Sequence, residues 1–169
     1  PRAIETLTKG DSVVLADGRT APVIWLGRQT VDTRLTNPRD VNPICITAGA
    51  LGGGLPENDL MLSQDHAIEL DGCLINAGAL VNGTTIYQVA QMPTGGFTYY
   101  HVETDAHDLL LAEGLAAETF IDYAGRDAFE NGDDVTTKTI VEMDMPRITA
   151  ARMVPDHIRT CLTPAIAAE

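Results

Sequence analysis

Basic residues are scarce: 11 Lys and Arg stand against 24 Asp and Glu, giving a formal charge of −13 over 169 residues. Such a surface repels a phosphate backbone, so the sequence argues against a nucleic-acid partner. Cysteine is sparse as well. Cys45, Cys73 and Cys161 are odd in number, far apart and without a C-x-x-C pair, which argues against a disulfide framework and a zinc knuckle. Cys45 reads as a small apolar strand residue, and Cys73 follows a turn. No run approaches the roughly 18 uninterrupted apolar residues of a membrane span. A charged n-region followed by an apolar h-region is also missing, and the chain opens on Pro1, so it reads as a piece of something longer.

What is present is a series of short β-like segments: SVVLADG, APVIWLG, PICITAG, LMLS, HAIELDG, CLIN, TTIYQVA, FTYYHVE and HDLLLAEG. Asp17-Gly18 and Asp71-Gly72, each flanked by apolar runs, predict hairpins. The expected class is all-β, in one domain with a core of its own. The glycine-rich AGALGGGLPEN at residues 48–58 is followed by no Gly-Lys-Ser/Thr and no helix-period segment, and is read as a flexible loop rather than a phosphate cradle.

An internal echo runs through the chain. Ile4-x-x-Leu7-x-x-Gly10-Asp11-x-Val13 is matched by Ala77-x-x-Leu80-x-x-Gly83-Thr84-x-Ile86, each reading as a helical turn, a glycine stop and a strand. The repetition suggests a pseudo-twofold β-fold. After about Asp122 the texture becomes acidic and turn-rich, so residues 1–122 are read as the β domain and 123–169 as a mixed extension packed on it. Asn131 to Asp134 lack the spaced acidic ladder of a calcium loop and read as a solvated turn.

LMLSQDHAIELDG carries the first chemical signal. It ends a strand-like run on Ser63 and brings His66 three residues later. There a hydroxyl can hydrogen-bond a peptide group while an imidazole, ordinarily titrating near pH 6.5, gives a proton to the amide nitrogen. A single strand-end His is more often a hydrogen-bonded structural residue. The later run YYHVETDAHDLLLAEG holds His101, Asp105, His107 and Asp108. Regular alternation places His101, Glu103 and Asp105 on one strand face with Val102 and Thr104 on the other, and His107 at the following turn. The imidazole spacing fits no common metal-ligand scheme, so no metal is expected.

Three blocks make the chain resemble the Hint domains shared by hedgehog C-terminal regions and inteins, in particular their bacterial Hint-like branch. RAIETLTKGDSVVLADGR is similar to the segment after the family's N-terminal nucleophile. LMLSQDHAI resembles the Thr-x-x-His block with Ser63 in place of Thr, and YYHVETDAHDLLLAEGLAAET the late block. The resemblance spans residues 1 to about 122 and implies a horseshoe-like, pseudo-symmetric β-fold without a cofactor.

It also implies self-processing in cis, the substrate being the protein's own upstream polypeptide. A Cys or Ser at the head of the domain attacks the preceding carbonyl in an N-to-S or N-to-O acyl shift. By carry-over Ser63 polarises the scissile amide, His66 protonates its nitrogen, and His107 assists later steps, with Asp105 available to orient His107. The family sets that nucleophile roughly a dozen residues ahead of the PRAIETL block, so the sequence as it stands is expected not to cleave. Where inteins carry His-Asn this chain reads Glu118-Thr119, which implies cleavage without splicing. The hedgehog acidic residue of sterol transfer falls near Gly27, which implies no sterol transfer. The competing expectations are a non-catalytic acidic β-module for folding or interaction in a larger secreted protein, and a hydrolase acting in trans through Ser63. The latter lacks a G-x-S-x-G elbow.

Overall fold

Turn dipeptides set the strand register. β1 (Ser12–Val14) and β2 (Thr20–Pro22) form an antiparallel hairpin around Asp17-Gly18, with Gly18 at φ 85° and the Asp17 carboxylate accepting the Arg19 amide at 2.9 Å. The segment APVIWLG then divides between two sheets. Val23 still donates to Asp11, whereas Ile24 donates to Glu103, and β3 (Trp25–Val31) continues with that new partner. A single turn of helix, α1 (Pro38–Val41), is capped by Asn37 and has proline in its first turn, where a missing amide costs nothing.

β4 (Ile44–Ile46) is the centre of a three-stranded sheet, flanked by β5 (Leu60–Leu62) and by a later strand. The loop expected to be flexible between β4 and β5 is tied up internally. Leu51 donates to Leu55, Gly49 to Pro56 and Gly52 to Gly49, with Gly52, Gly53 and Gly54 all at positive φ. β6 (Ala67–Leu70) and β7 (Cys73–Asn76) make the second predicted hairpin, with Asp71 at φ 51° and Gly72 at φ 77°, as a two-residue type I′ turn requires. β8 (Ile86–Gln88) completes the β4 sheet, and β9 (Phe97–Glu103) pairs with β3 along its whole length.

β10 (Leu109–Ala112) and β11 (Leu115–Glu118) turn through Glu113 and Gly114, again both at positive φ. β11 pairs with β6, and β12 (Arg147–Ile148) adds a parallel edge to β7, giving the sheet order β10-β11-β6-β7-β12. A final helix, α2 (Asp156–Cys161), follows. The computed structural model describes residues 1–123, 125–134 and 139–162. Most of its regular structure is strand in several sheets, so the class is all-β, as expected.

Both halves of the echo take the expected form. A 3₁₀ turn at Ile4–Thr6 is followed by Gly10 at φ 92° and β1, and a 3₁₀ turn at Ala77–Leu80 by Gly83 at φ 76° and β8. Their burial differs, because Ala77, Ala79 and Leu80 are buried and the first turn contributes no buried residue. The core collects Ile44, Ile46, Ile68, Ile75, Leu80 and Ile86, and the later Ile148, Val154, Ile158 and Leu162 join the same cluster. Cys45 is buried in β4, Cys73 is half-buried at the head of β7 and packs against the cluster, and Cys161 is exposed. No helix among the described residues is long and apolar enough to cross a membrane.

Candidate functional site

Ser63 to His66 close one tight turn between β5 and β6, with the His66 amide donating to the Ser63 carbonyl at 3.2 Å. This turn is where the chain passes from the β4 sheet to the five-stranded sheet. It rests on the second 3₁₀ turn: Gly78 donates to the Gln64 carbonyl and Ala77 to the His66 carbonyl, each at 2.9 Å. The echo motif and the Ser-x-x-His motif are therefore one assembly. Gln64 also donates to the Arg39 carbonyl at 2.6 Å, fastening the turn to α1.

Ser63 opens onto a cleft of about 670 Å³ walled by Tyr99 and His101 of β9, Val41 at the end of α1, and Phe120 and Phe129. His101 stands across from Gly27 in the β3–β9 register. Its ring meets Phe129 edge-on at 5.1 Å and Phe120 at 5.8 Å, and lies 6.0 Å from the ring of His66. A side chain at Gly27 would overlap the Trp25 ring and press on Phe129, so no acidic group fits there.

His107 lies elsewhere in the same neighbourhood. Its side chain is fully covered, Nε2 donates to Glu118 at 3.1 Å, and Nδ1 accepts the Met143 amide at 3.1 Å. One neutral tautomer satisfies both contacts. The carboxylate that orients this ring is thus Glu118, and not Asp105, which sits on the exposed turn after β9. The regular alternation expected beyond Val102 stops there too, since Glu103 and Thr104 are both buried. Glu103 pairs with Arg126 at 2.6 Å, while the Thr104 hydroxyl donates to Asp108 at 2.8 Å.

Glu118 joins the two imidazole regions. One oxygen accepts the Ala67 amide at 2.8 Å, directly after His66, and the other takes the His107 contact. Arg147 grips both oxygens, at 3.2 and 2.6 Å. These donors hold the Glu118 carboxyl down to about 2 in spite of its burial. Burial dominates at the imidazoles. It pushes His66 below its ordinary value, opposed by the Glu118 charge, and His101 down to about 4, helped by neighbouring His66. Both rings are accordingly neutral near pH 7.

Ser63 and His101 line one cleft, and the His66 ring stands behind it, 6.0 Å from that of His101, whereas His107 is linked to this turn through Glu118. The sequence reading had His101 among its candidates but favoured His107 from the late block. Glu118 carried a usable signal, a lone carboxylate closing the otherwise apolar strand LAAE. Arg147 and Phe129 carried none. Among the described residues, no group of three or more His, Cys, Asp or Glu is placed to hold a metal ion. The Ser63 hydroxyl and the His101 imidazole in the cleft, with His66 behind them, can hydrogen-bond a peptide group and move a proton.

Comparison with curated proteins and with solved structures gave no match. The sequence profile of the Hint domain matches residues 1–124, the stretch that includes β1 to β11 and every cleft residue except those contributed by the following segment. That match covers well over half of the chain, and with the all-β architecture it shows that the protein belongs to the Hint domain family.

Proposed function

We propose that the protein is an autoprocessing domain that cleaves a peptide bond of its own longer polypeptide, upstream of the Arg2–Leu7 block, without splicing. The observation that carries this reading is the convergence of the Ser63–His66 turn and His101 on one cleft, with the two rings 6.0 Å apart. The Ser63 hydroxyl hydrogen-bonds the scissile peptide group. A neutral imidazole takes the proton of an upstream Cys or Ser as its sulfur or oxygen bonds to the carbonyl carbon. The imidazolium so formed, in a site that disfavours charge, is a strong acid and returns the proton to the amide nitrogen as the carbon–nitrogen bond breaks. His66 gives that proton. Water or a thiol then opens the thioester or ester.

Cleavage without sterol transfer is supported by Gly27, where packing under Trp25 leaves no space for a carboxyl group. Cleavage without splicing is supported by Glu118, whose oxygens are engaged by Ala67, His107 and Arg147. His107 acts through Glu118, since both of its ring nitrogens are occupied.

The test is expression of the longer polypeptide with a reporter upstream, followed by mass spectrometry with and without added thiol. A thiol-accelerated cut ahead of the Arg2–Leu7 block is expected, and His66→Ala should slow it by about two to four orders of magnitude. No cut, or a cut indifferent to His66→Ala, would leave the non-catalytic module as the better reading.

A further inference from the structure

Glu118 is a buried carboxylate at the centre of the site, and the guanidinium that contacts both of its oxygens comes from outside the residues that the family profile matches. We propose that Arg147 is a positioning residue for the cleft: reaching in from β12, it clamps Glu118 so that Glu118 in turn fixes the main chain at Ala67, next to His66. The inference rests on the autoprocessing reading for its effect on cleavage, but its geometry stands without it.

The clamp has a definite shape. Arg147 Nη2 donates to one Glu118 oxygen at 2.6 Å and Nη1 to the other at 3.2 Å, the forked arrangement that a planar guanidinium makes and an ammonium cannot. Nη1 also lies 3.4 Å from the Asn76 carboxamide oxygen, and Nε donates to Glu142 at 3.1 Å. The guanidinium is therefore held from both ends, by Asn76 at the end of β7 and by Glu142 in the segment before β12. The ring of Tyr123 lies 5.7 Å below it.

With the fork in place, the two Glu118 oxygens point at fixed targets, the Ala67 amide and the His107 Nε2–H. Ala67 opens β6 and His66 closes the preceding turn, so a carboxylate anchored on Ala67 fixes the main chain from which the His66 ring projects. The same segment supplies the Met143 amide that satisfies the second nitrogen of His107. Residues that follow the matched region thus hold the orientation of two of its imidazoles. Without the guanidinium, Glu118 would be a desolvated carboxylate with weaker partners, and free to turn away from Ala67.

Amide hydrogen exchange of the chain by NMR tests this directly, with the Thr47 amide, bonded to Thr85 in the β4 sheet, as the remote control. In Arg147→Gln the Ala67 amide is expected to exchange roughly tenfold faster or more, the loss of one buried hydrogen bond, with Thr47 unchanged. Arg147→Lys keeps the charge without the fork and should fall between. If Arg147→Gln does not fold, Arg147→Lys carries the same comparison. Unchanged protection at Ala67 overturns the proposal. Parallel losses at Ala67 and Thr47 overturn it as well, because Arg147 would then only hold the fold. In the longer polypeptide, Arg147→Lys should slow cleavage by about 10²-fold, the usual effect of a misplacement near 1 Å. A cleaving protein indifferent to Arg147→Lys refutes the positioning role, whereas a protein that never cleaves refutes only the autoprocessing reading.

Discussion

Gly78 touches Gln64 with no spare room: its amide donates to the Gln64 carbonyl at 2.9 Å, and a Cβ at Gly78 would stand 3.2 Å from that same oxygen. The turn that presents Ser63 and His66 is seated on this contact. Gly78→Val is expected to destabilise the fold by about 1–3 kcal/mol through overpacking, and to slow cleavage beyond what the stability loss explains. Urea denaturation beside single-turnover cleavage at a temperature where the variant stays folded checks both. Equal activity in the folded variant would detach this turn from the chemistry.

His101 and His107 should separate in opposite directions. His101 faces the cleft between Phe120 and Phe129, so His101→Gln is expected to slow cleavage by at least about tenfold while moving stability little. His107 is covered and bonded at both nitrogens, so His107→Ala removes two hydrogen bonds and leaves Glu118 and the Met143 amide short of partners, at about 2–4 kcal/mol. Thermal unfolding and cleavage rates of the two variants, measured side by side, give the ordering. The reverse ordering would return the late-block imidazole to the reacting groups.

The strands and turns were legible because their determinants are local. Asp71-Gly72 needs only positive φ at consecutive residues, and the alternation of FTYYHVE needs only a half-buried ribbon. The end of that alternation was not legible, since Glu103 is buried by Arg126, more than twenty residues on. Likewise the closeness of Ser63 and His66 was legible because one turn joins them, whereas Glu118 of β11 meets His107 in the turn before β10 and Ala67 of β6, and Arg147 arrives from a parallel edge strand whose register no local pattern encodes. Motif spacing identifies the groups carried by one turn, and tertiary packing decides which imidazole joins them.

The depressed imidazoles tie stability to pH. His101 titrates near its ordinary 6.5 when unfolded and at about 4 when folded, so the unfolded chain binds the proton first as pH falls. Stability is therefore full above pH 6.5 and declines toward pH 4, by at most about 3 kcal/mol from this residue, with His66 acting in the same direction. Glu118, held at about 2 against an ordinary 4.5, extends the decline below pH 4.5. Denaturant midpoints measured from pH 7.5 to pH 4.5 should fall, and His101→Gln should flatten that slope. A slope unaltered by His101→Gln would place its origin in other groups.

Arg126 and Glu103 form a buried ion pair behind the cleft, 2.6 Å apart, with the guanidinium 4.4 Å from the Trp25 ring and 5.2 Å from the Phe120 ring. Trp25 in turn donates its indole N–H to the Asn131 carbonyl, and the Asn131 carboxamide bonds the β3 backbone on either side of Gly27. The pair thus supports the aromatic wall that holds His101. Removing one partner leaves a buried charge uncompensated, so Glu103→Gln or Arg126→Met alone should cost about 3–5 kcal/mol. Replacing both, as Glu103→Leu with Arg126→Met, substitutes apolar volume for two desolvated charges and should recover most of that loss. Chemical denaturation of the two single variants and the double variant closes the cycle, and a double variant as unstable as the sum of the singles would show that the ion pair does not act as a unit.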